Sequence, residues 1–434
     1  MSDYMFMLES HLSADQNRAL EQVQAAAGAA GVNLFLAGGG MRDMLGGFQI
    51  RDLDFSVEGS ALKLAKALEE QGARTLAVDE NRRSAELVFA SGVTAQVAMS
   101  RKERYAKTGA KPQVTAATIQ EDLRGRDFTV NAMALSLNRA SRGLLLDPTN
   151  GLADLGRREM RSTHPYVFYD DPARLLRLVR LRVRLSFAVE ERTRTQYDNA
   201  RAAHVENLLP PRTLLEELKH IAAEPSPAEV LQALDQDGLL ALFSPAAAAS
   251  KLNLQTLVRL EKAAKLVESA SIVVVAQLAP FLLALTAKLT PKEKSALFKA
   301  VDLPKTEIEQ MRILEPRARK LEQALQSARV KKPSHVYRIL AEARPDEMVF
   351  LLGHSGQRTV QERIRSYLQK YLPAMQAVAP SAWEALDGQP GTPKYNRSRQ
   401  ALLASHLDVR PRKPPLTEPQ PPVAVEALVR GRAR

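Results

Sequence analysis

The apolar pattern of this chain changes period once, near Asp171, and that change limits the architectures open to it. Before it, short apolar runs alternate with helical stretches; after it, Leu and Ala recur at helical spacing and no convincing alternating strand follows. A sheet domain followed by a helical half is therefore expected, an α+β chain. In the first part, residues 14–30 are helical by composition, Asn33 to Leu36 leads as a strand into Gly38-Gly39-Gly40, and the runs 85–90 and 94–99 about Ser91-Gly92 predict a hairpin. Phe128 to Leu135 reads as an apolar helix with a polar start at Arg124, Arg126 and Asp127.

At 434 residues, two or three domains of roughly 150 residues are expected. A 45% hydrophobic and 25% charged composition places the chain among folded proteins. The net charge of +12 favours a polyanionic partner, with nucleic acid the leading class. Cysteine is absent, which excludes disulfides, thiolate metal sites, iron–sulfur clusters and cysteine nucleophiles, and fits a reducing, cytoplasmic setting. Asp3 and Glu9 are unlike the basic, then apolar, start of a secretory signal. The most apolar stretch, Ile272 to Ala287, is broken by Gln277 and Pro280 and is shorter than the ~20 residues of a membrane span, so it predicts a buried helix and no membrane partner.

Pro210-Pro211, Glu224-Pro225-Ser226-Pro227 and Thr290-Pro291 read as joints between helices. Beyond Pro411 a proline-rich basic segment is expected to be disordered. Lys292, Lys294, Lys299, Lys331 and Lys332 gather around the apolar helices and suit sequence-independent phosphate contacts.

Four segments could carry chemistry. Gly38-Gly39-Gly40-Met41-Arg42-Asp43 forms a strand, glycine turn and helix start that would aim backbone N–H groups at an anion. It is not a dinucleotide fingerprint, since Asp43 stands where a third glycine is needed, and no Walker lysine follows. Asp52 and Asp54 lie two apart on a strand, so both carboxylates project from one face, about 7 Å apart at Cα, where they could share Mg²⁺. An isolated pair of this kind reads more readily as a solvated edge strand. Arg126 and Asp127 precede Asn131 and could hold a nucleotide or simply face solvent. Asp171-Pro172 starts a helix on which Arg174, Arg177, Arg180 and Arg184 cover about 120° of one face, opposite Leu175, Leu176, Val179 and Val183. That face could bind phosphate or water.

In this order the segments resemble the class II tRNA nucleotidyltransferases, the CCA-adding enzymes, and the bacterial poly(A) polymerases. Gly38 to Asp43 is similar to the GGxxRD signature, Asp52-Leu53-Asp54 to the DxD, and Gly125 to Ala134 to RRDFTxNAMA. Asp147 to Leu155 resembles DPxxGxxDL, and Asp170-Asp171-Pro172-Ala173-Arg174 resembles the EDxxR of the helix that templates the incoming base. The likeness runs from about Leu34 to Phe187 and thins beyond Ile221; Ala385 to Pro393 faintly resembles a tail segment.

The resemblance implies a polymerase-beta-like head with a mixed sheet at 1–165, a helical neck at 166–225, an RNA-binding body and tail at 226–410, and the basic tail at 411–434, in a seahorse-like array. It implies transfer of nucleotides from CTP or ATP to the 3′ end of tRNA, with Asp52 and Asp54 binding two Mg²⁺ ions as the catalytic pair. Gly39, Arg42 and Arg126 would hold the triphosphate, and Asp171, Arg174, Arg177 and Arg180 the base and phosphates. Gly125 departs from the first arginine of RRD, Asp170 from the glutamate of EDxxR, and Gln96 from an acidic residue that relatives often carry. No His-Asp dipeptide points to an added phosphohydrolase. A poly(A) polymerase on other RNA shares every catalytic residue, and a tRNA-binding protein with a weakened site rests on Gln96 and Gly125. Choice among CCA, CC and A addition, and the oligomeric state, are not legible.

Overall fold

The computed structural model describes residues 3–48, 50–51, 53–246, 249–270 and 278–409. Asp52, Ile272 to Gln277 and the basic tail from Arg410 lie outside the described residues. Within them the chain divides into two compact units, one of residues 1–319 with 345–355, the other of 320–344 with 356–434.

The first unit is built on a mixed seven-stranded sheet. Its strands are β1 (Asn33–Ala37), β2 (Leu53–Glu58), β3 (Arg74–Asp79), β4 (Ser84–Val88), β5 (Thr94–Met99), β8 (Ala134–Ser136) and β9 (Leu145–Leu146), and a hairpin of β6 (Arg101–Arg104) and β7 (Gln113–Ala116) interrupts them in sequence. The sheet order is β3-β4-β5-β2-β1-β8-β9, antiparallel except for the parallel β2–β5 pair. The hairpin expected about Ser91-Gly92 is β4–β5.

Alternation in β2 sorts the faces. Leu53, Phe55 and Val57 are buried on one side, where the Ala14–Ala30 and Ala61–Glu70 helices pack with Leu20, Val23, Leu64 and Leu68. The opposite face carries Asp54, Ser56 and Glu58, and the Ile119–Arg124 helix covers part of it, its Ile119 and Leu123 closing a cluster with Phe35, Ala37, Ala132 and Ala134. On this face Asp54 and Glu58 stay half-buried while Ser56 is buried.

One expectation is overturned. Phe128 to Leu135 is not a helix: a single 3₁₀ turn, Thr129–Asn131, leads straight into β8, paired on both sides by β1 and β9. A strand buried on both faces shows no alternation, so its short apolar run is indistinguishable from a helical one by pattern.

Past Asp171 the described residues are helical apart from the two-residue strand Ala188–Val189. Ala173–Leu185, Pro211–Ala222, Pro227–Gln236, Leu254–Ser269 and Leu278–Leu285 follow one another, and the prolines at the starts of the third joint and both earlier ones occupy first-turn positions. Thr290 caps the Pro291–Ala300 helix in a capping box with Glu293. The described part of the apolar stretch, Leu278–Leu285, is a buried helix as expected. Among the described residues no helix is long and apolar enough to cross a membrane.

The second unit has its own small core of Met375, Leu403 and Leu407, with Tyr337, Tyr371 and Trp383 against it. Asp408 receives hydrogen bonds from the Ser334 backbone N–H (3.0 Å) and hydroxyl (2.7 Å), fixing the start of the Pro333–Leu340 helix.

Candidate active site

The glycine turn sits at the carboxyl end of β1, where Gly38 adopts φ +71° and begins the Gly39–Leu45 helix. A side chain at Gly38 would be strained by that φ, and its Cβ would stand 2.9 Å from Arg126 Nη1 and 3.6 Å from Asp54 Oδ2. The Gly39 Cβ position is likewise 3.6 Å from Asp54 Oδ2. The absence of side chains here is what lets the backbone approach the Asp54 carboxylate and the Arg126 guanidinium together.

Arg126 is held in place by Asp122. Its Nη2 donates to Asp122 Oδ2 at 2.9 Å and to Ser56 Oγ at 3.1 Å, and its Nη1 donates to the Asn131 carbonyl at 3.3 Å. Burial alone would lower Arg126, but Asp122 first and Asp54 with Asp127 after it hold the guanidinium above its ordinary value. Asp122 was not singled out in the sequence, because an acid in a capped helix start looks like ordinary dipole complementation.

Arg42 is 3% exposed, with Nε and Nη2 on Asp43 Oδ1 (2.9 and 2.7 Å) and Nη1 on Asn131 Oδ1 (2.6 Å). Asn131 also donates to Asp127 Oδ1 at 3.0 Å, and Asp127 Oδ2 accepts from Arg177 Nη1 at 3.0 Å. Burial would raise the Asp127 carboxyl, but Arg177 and Arg174, with the Asn131 hydrogen bond, bring it down to about 2. A depressed carboxylate stabilises the fold fully above its unfolded pKa, near 4, and that stabilisation is lost as pH falls through about 2. The two-unit shift corresponds to about 2–3 kcal/mol. In urea unfolding, the stability gap between the native protein and Asp127→Asn is therefore expected to narrow by about that amount between about pH 5 and pH 1; a constant gap would contradict the ionised, buried Asp127.

At the start of the Ala173–Leu185 helix, Asp171 Oδ1 accepts from the Ala173 N–H at 3.1 Å. Arg174 is 5% exposed; Nη2 donates to the Gly125 carbonyl at 3.2 Å and Nη1 reaches the Val167 carbonyl at 3.5 Å. Its Nε is buried without a hydrogen-bond partner, and Asp171 Oδ2 stands 3.8 Å from it. Gly125, the departure from RRD, has an ordinary φ of −87° and serves through its carbonyl, so the missing arginine side chain leaves the backbone contact intact.

Farther along, Arg177 Nη2 is 3.5 Å from Glu217 Oε1, and Arg180, 8% exposed, pairs with Glu217 (3.4 Å) and Glu224 (2.7 Å). The arginine face read as an anion surface thus meets protein carboxylates. Tyr105, just past β6, donates to Glu103 at 2.6 Å and lies within electrostatic reach of Arg174 and Asp171. Neither Tyr105 nor the two glutamates carried a local sequence signal.

For a metal ion, the observed donors are the Asp54 carboxylate beside the open glycine turn and the exposed Gln96 amide, directly across from Asp54 in the parallel β2–β5 register. Glu86 is across from Gln96 on β4, so Asp54, Gln96 and Glu86 form one row on one face. Oxygen donors of this kind suit a hard divalent cation. Asp52, the other carboxylate expected there, lies outside the described residues.

The mixed sheet, the glycine turn facing a strand carboxylate, and the arginine between them lie together in the first unit. Residues 34–161 match the poly A polymerase head domain family. Over about half its length the chain is also similar to tRNA nucleotidyltransferases. It is 35% identical over 237 residues to the A-adding tRNA nucleotidyltransferase of Halalkalibacterium halodurans, covering 54% of this chain and 56% of that protein. To the CC-adding tRNA nucleotidyltransferase of Deinococcus radiodurans it is 35% identical over 202 residues, 46% of this chain and 53% of that one. The chain spans about half, or less, of the length of the curated relatives it matches. Among solved structures it is similar in fold to a CCA-adding enzyme in apo form, with TM-score 0.55 and 23% identity over 95% of this chain and 96% of that one.

Proposed function

We propose that this protein transfers nucleotides from CTP, ATP or both to the 3′ end of tRNA. The observation that carries this reading is the buried Arg174 Nε, unpartnered beside Asp171, on a helix whose guanidinium is anchored to the loop that holds Arg126 over Asp54. An unsatisfied buried donor costs about 1–3 kcal/mol unless something occupies it, and a base edge offers the acceptor. Similarity to proteins named as A-adding, CC-adding and multifunctional CCA enzymes supports the substrate class.

In the reaction, the tRNA 3′ hydroxyl attacks the α-phosphate and pyrophosphate leaves in line. Metal dependence belongs to the family; Asp54 and Asp52 would hold Mg²⁺, two ions in our reading, which would activate the hydroxyl and offset charge on the leaving group. Gly38 and Gly39 admit the triphosphate close to the backbone, and Arg126 faces it with a charge fixed by Asp122. Arg42, tied to Asp43 and Asn131, holds the turn in shape, and Asp171 with Arg174 present donor and acceptor to the incoming base. Arg177 and Arg180 orient that helix through their carboxylates.

The test is incubation with tRNA lacking its last three nucleotides, and with tRNA ending in C or CC, supplied with CTP alone, ATP alone or both. Defined extension by one to three nucleotides is expected. Long adenylate tails on unrelated RNA would instead favour the poly(A) polymerase reading, to which the head-domain match is equally suited; binding without extension would favour a weakened site.

The row of Asp54, Gln96 and Glu86 sets a further expectation. An amide coordinates Mg²⁺ less strongly than a carboxylate, so Gln96→Glu is expected to lower the Mg²⁺ needed for half-maximal rate severalfold. Glu86 is two strands from Asp54, so Glu86→Gln should raise that requirement only modestly. Superimposable rate curves against Mg²⁺ for all three proteins would remove position 96 from the site.

A further inference from the structure

The charged side chains around the site close into a ring. From Asp127 it passes to Arg177 (3.0 Å), Glu217 (3.5 Å), Arg180 (3.4 Å), Glu224 (2.7 Å), Arg184 (3.9 Å), Asp43 (2.5 Å), Arg42 (2.7 Å) and Asn131 (2.6 Å), and returns to Asp127 at 3.0 Å. Four guanidiniums alternate with four carboxylates, and the one neutral member, Asn131, bridges Arg42 to Asp127. Four structural pieces meet in it: the glycine-turn helix through Arg42 and Asp43, the loop of Asp127 and Asn131, the Ala173–Leu185 helix through its three arginines, and the Pro211–Ala222 helix with the residues after it through Glu217 and Glu224.

Glu224 is the member with the most to hold. It follows the Pro211–Ala222 helix, its side chain is 2% exposed, and besides Arg180 and Arg184 it faces Arg51 at 3.5 Å. Arg51 also donates to the Ala223 carbonyl at 3.1 Å and immediately precedes Asp52. Glu224 Oε2 makes no hydrogen bond; only the charges of Arg51 and Arg184 hold it. Burial pushes Arg184 down, Arg42 and Arg51 add to that, and Asp43 and Glu224 oppose it. Without the Glu224 charge, Arg51, Arg180 and Arg184 would be three neighbouring cations with Asp43 and Glu217 alone between them, an arrangement that like-charge repulsion would spread apart.

We propose that Glu224 is a positioning residue for nucleotide selection: it fixes the Ala173–Leu185 helix against the glycine turn and the Arg51 segment, and so sets Asp171 and Arg174 at the distance from Arg126 that one base and one triphosphate require. Arg184 and Asp43 are the link that transmits this, since they join the far end of the helix to the turn that begins at Gly38. The inference rests on the nucleotidyltransferase reading above.

The experiment compares the native protein with Glu224→Gln, which keeps shape and removes charge, and Glu224→Asp, which keeps charge one methylene short. The readouts are the ratio of kcat/KM for CTP and ATP on truncated tRNA, equilibrium affinity for Mg-ATP and Mg-CTP by calorimetry, and the thermal unfolding midpoint. Expected for Glu224→Gln are at least a tenfold fall in the preference for one nucleotide over the other and about tenfold weaker binding of the preferred one, with Glu224→Asp in between. A purely structural glutamate would lower both rates equally through loss of folded protein, leaving the ratio and the per-folded-molecule affinity unmoved; that result overturns the proposal. If Glu224→Gln is too unstable to assay, Arg184→Met must reproduce the loss of preference, and a native ratio there overturns it equally. If the native protein binds nucleotide yet extends no tRNA, the functional reading fails separately, and the affinity comparison alone still decides the role of Glu224.

Discussion

Asp54→Ala is expected to lower nucleotide addition by at least about a thousandfold, on the order of 4 kcal/mol of barrier, while tRNA affinity stays within about twofold. Asp54 is the half-buried carboxylate beside which the glycine turn opens, and its charge is one of those that hold Arg126 above its ordinary value. Its removal would take a hard oxygen donor from the place where the leaving group's charge must be offset, and leave Arg126 with Asp122 and Asp127 as its acidic neighbours. On the proposed function, RNA would be held by positive charge elsewhere in a chain of net charge +12, so its affinity is not expected to depend on this carboxylate. Single-turnover extension and filter binding measure the two quantities independently. Turnover within tenfold of native in Mg²⁺ would remove Asp54 from the metal site.

The second large effect concerns choice of base. Asp171→Ala and Arg174→Ala are each expected to cut discrimination between CTP and ATP by about a hundredfold, because a site built to hydrogen-bond its substrate rejects the wrong one by leaving buried polar groups unpaired. Arg174 should show the larger loss in absolute rate. Its Nη2 bond to the Gly125 carbonyl joins the helix to the Arg126 loop, so truncation affects both the base and the triphosphate. Competition between the two nucleotides on one tRNA reads the ratio directly; equal losses for both would make these residues phosphate-binding or structural.

Much of the site's inventory was legible in the sequence because the relevant chemistry is local. The glycine turn needs a positive φ and no Cβ at Gly38, a strand places Asp54 on a face of its own, and Asp171 with Pro172 opens a helix whether or not a tertiary structure surrounds it. The Ala14–Ala30 helix was legible from its composition and the start of the Pro291–Ala300 helix from Thr290 and Pro291. Where the sequence misled, the segment was short and fully buried: β8 lies between two strands and under a helix, so nothing in Phe128 to Leu135 alternates.

What the sequence alone determined, then, is the order of the strand, turn and helix starts around the candidate site, since each depends on residues within a few positions of one another. Only the tertiary structure decided what the arginines of the Ala173–Leu185 helix do. Periodicity places Arg177, Arg180 and Arg184 on one face, but Glu217 and Glu224 lie 37 and 44 positions from Arg180, and Asp43 lies 141 from Arg184. Whether a guanidinium meets water, phosphate or a carboxylate is set by which distant acid the fold brings within about 4 Å, where Coulomb energy in a buried site outweighs any local preference. No pattern along the chain encodes that distance.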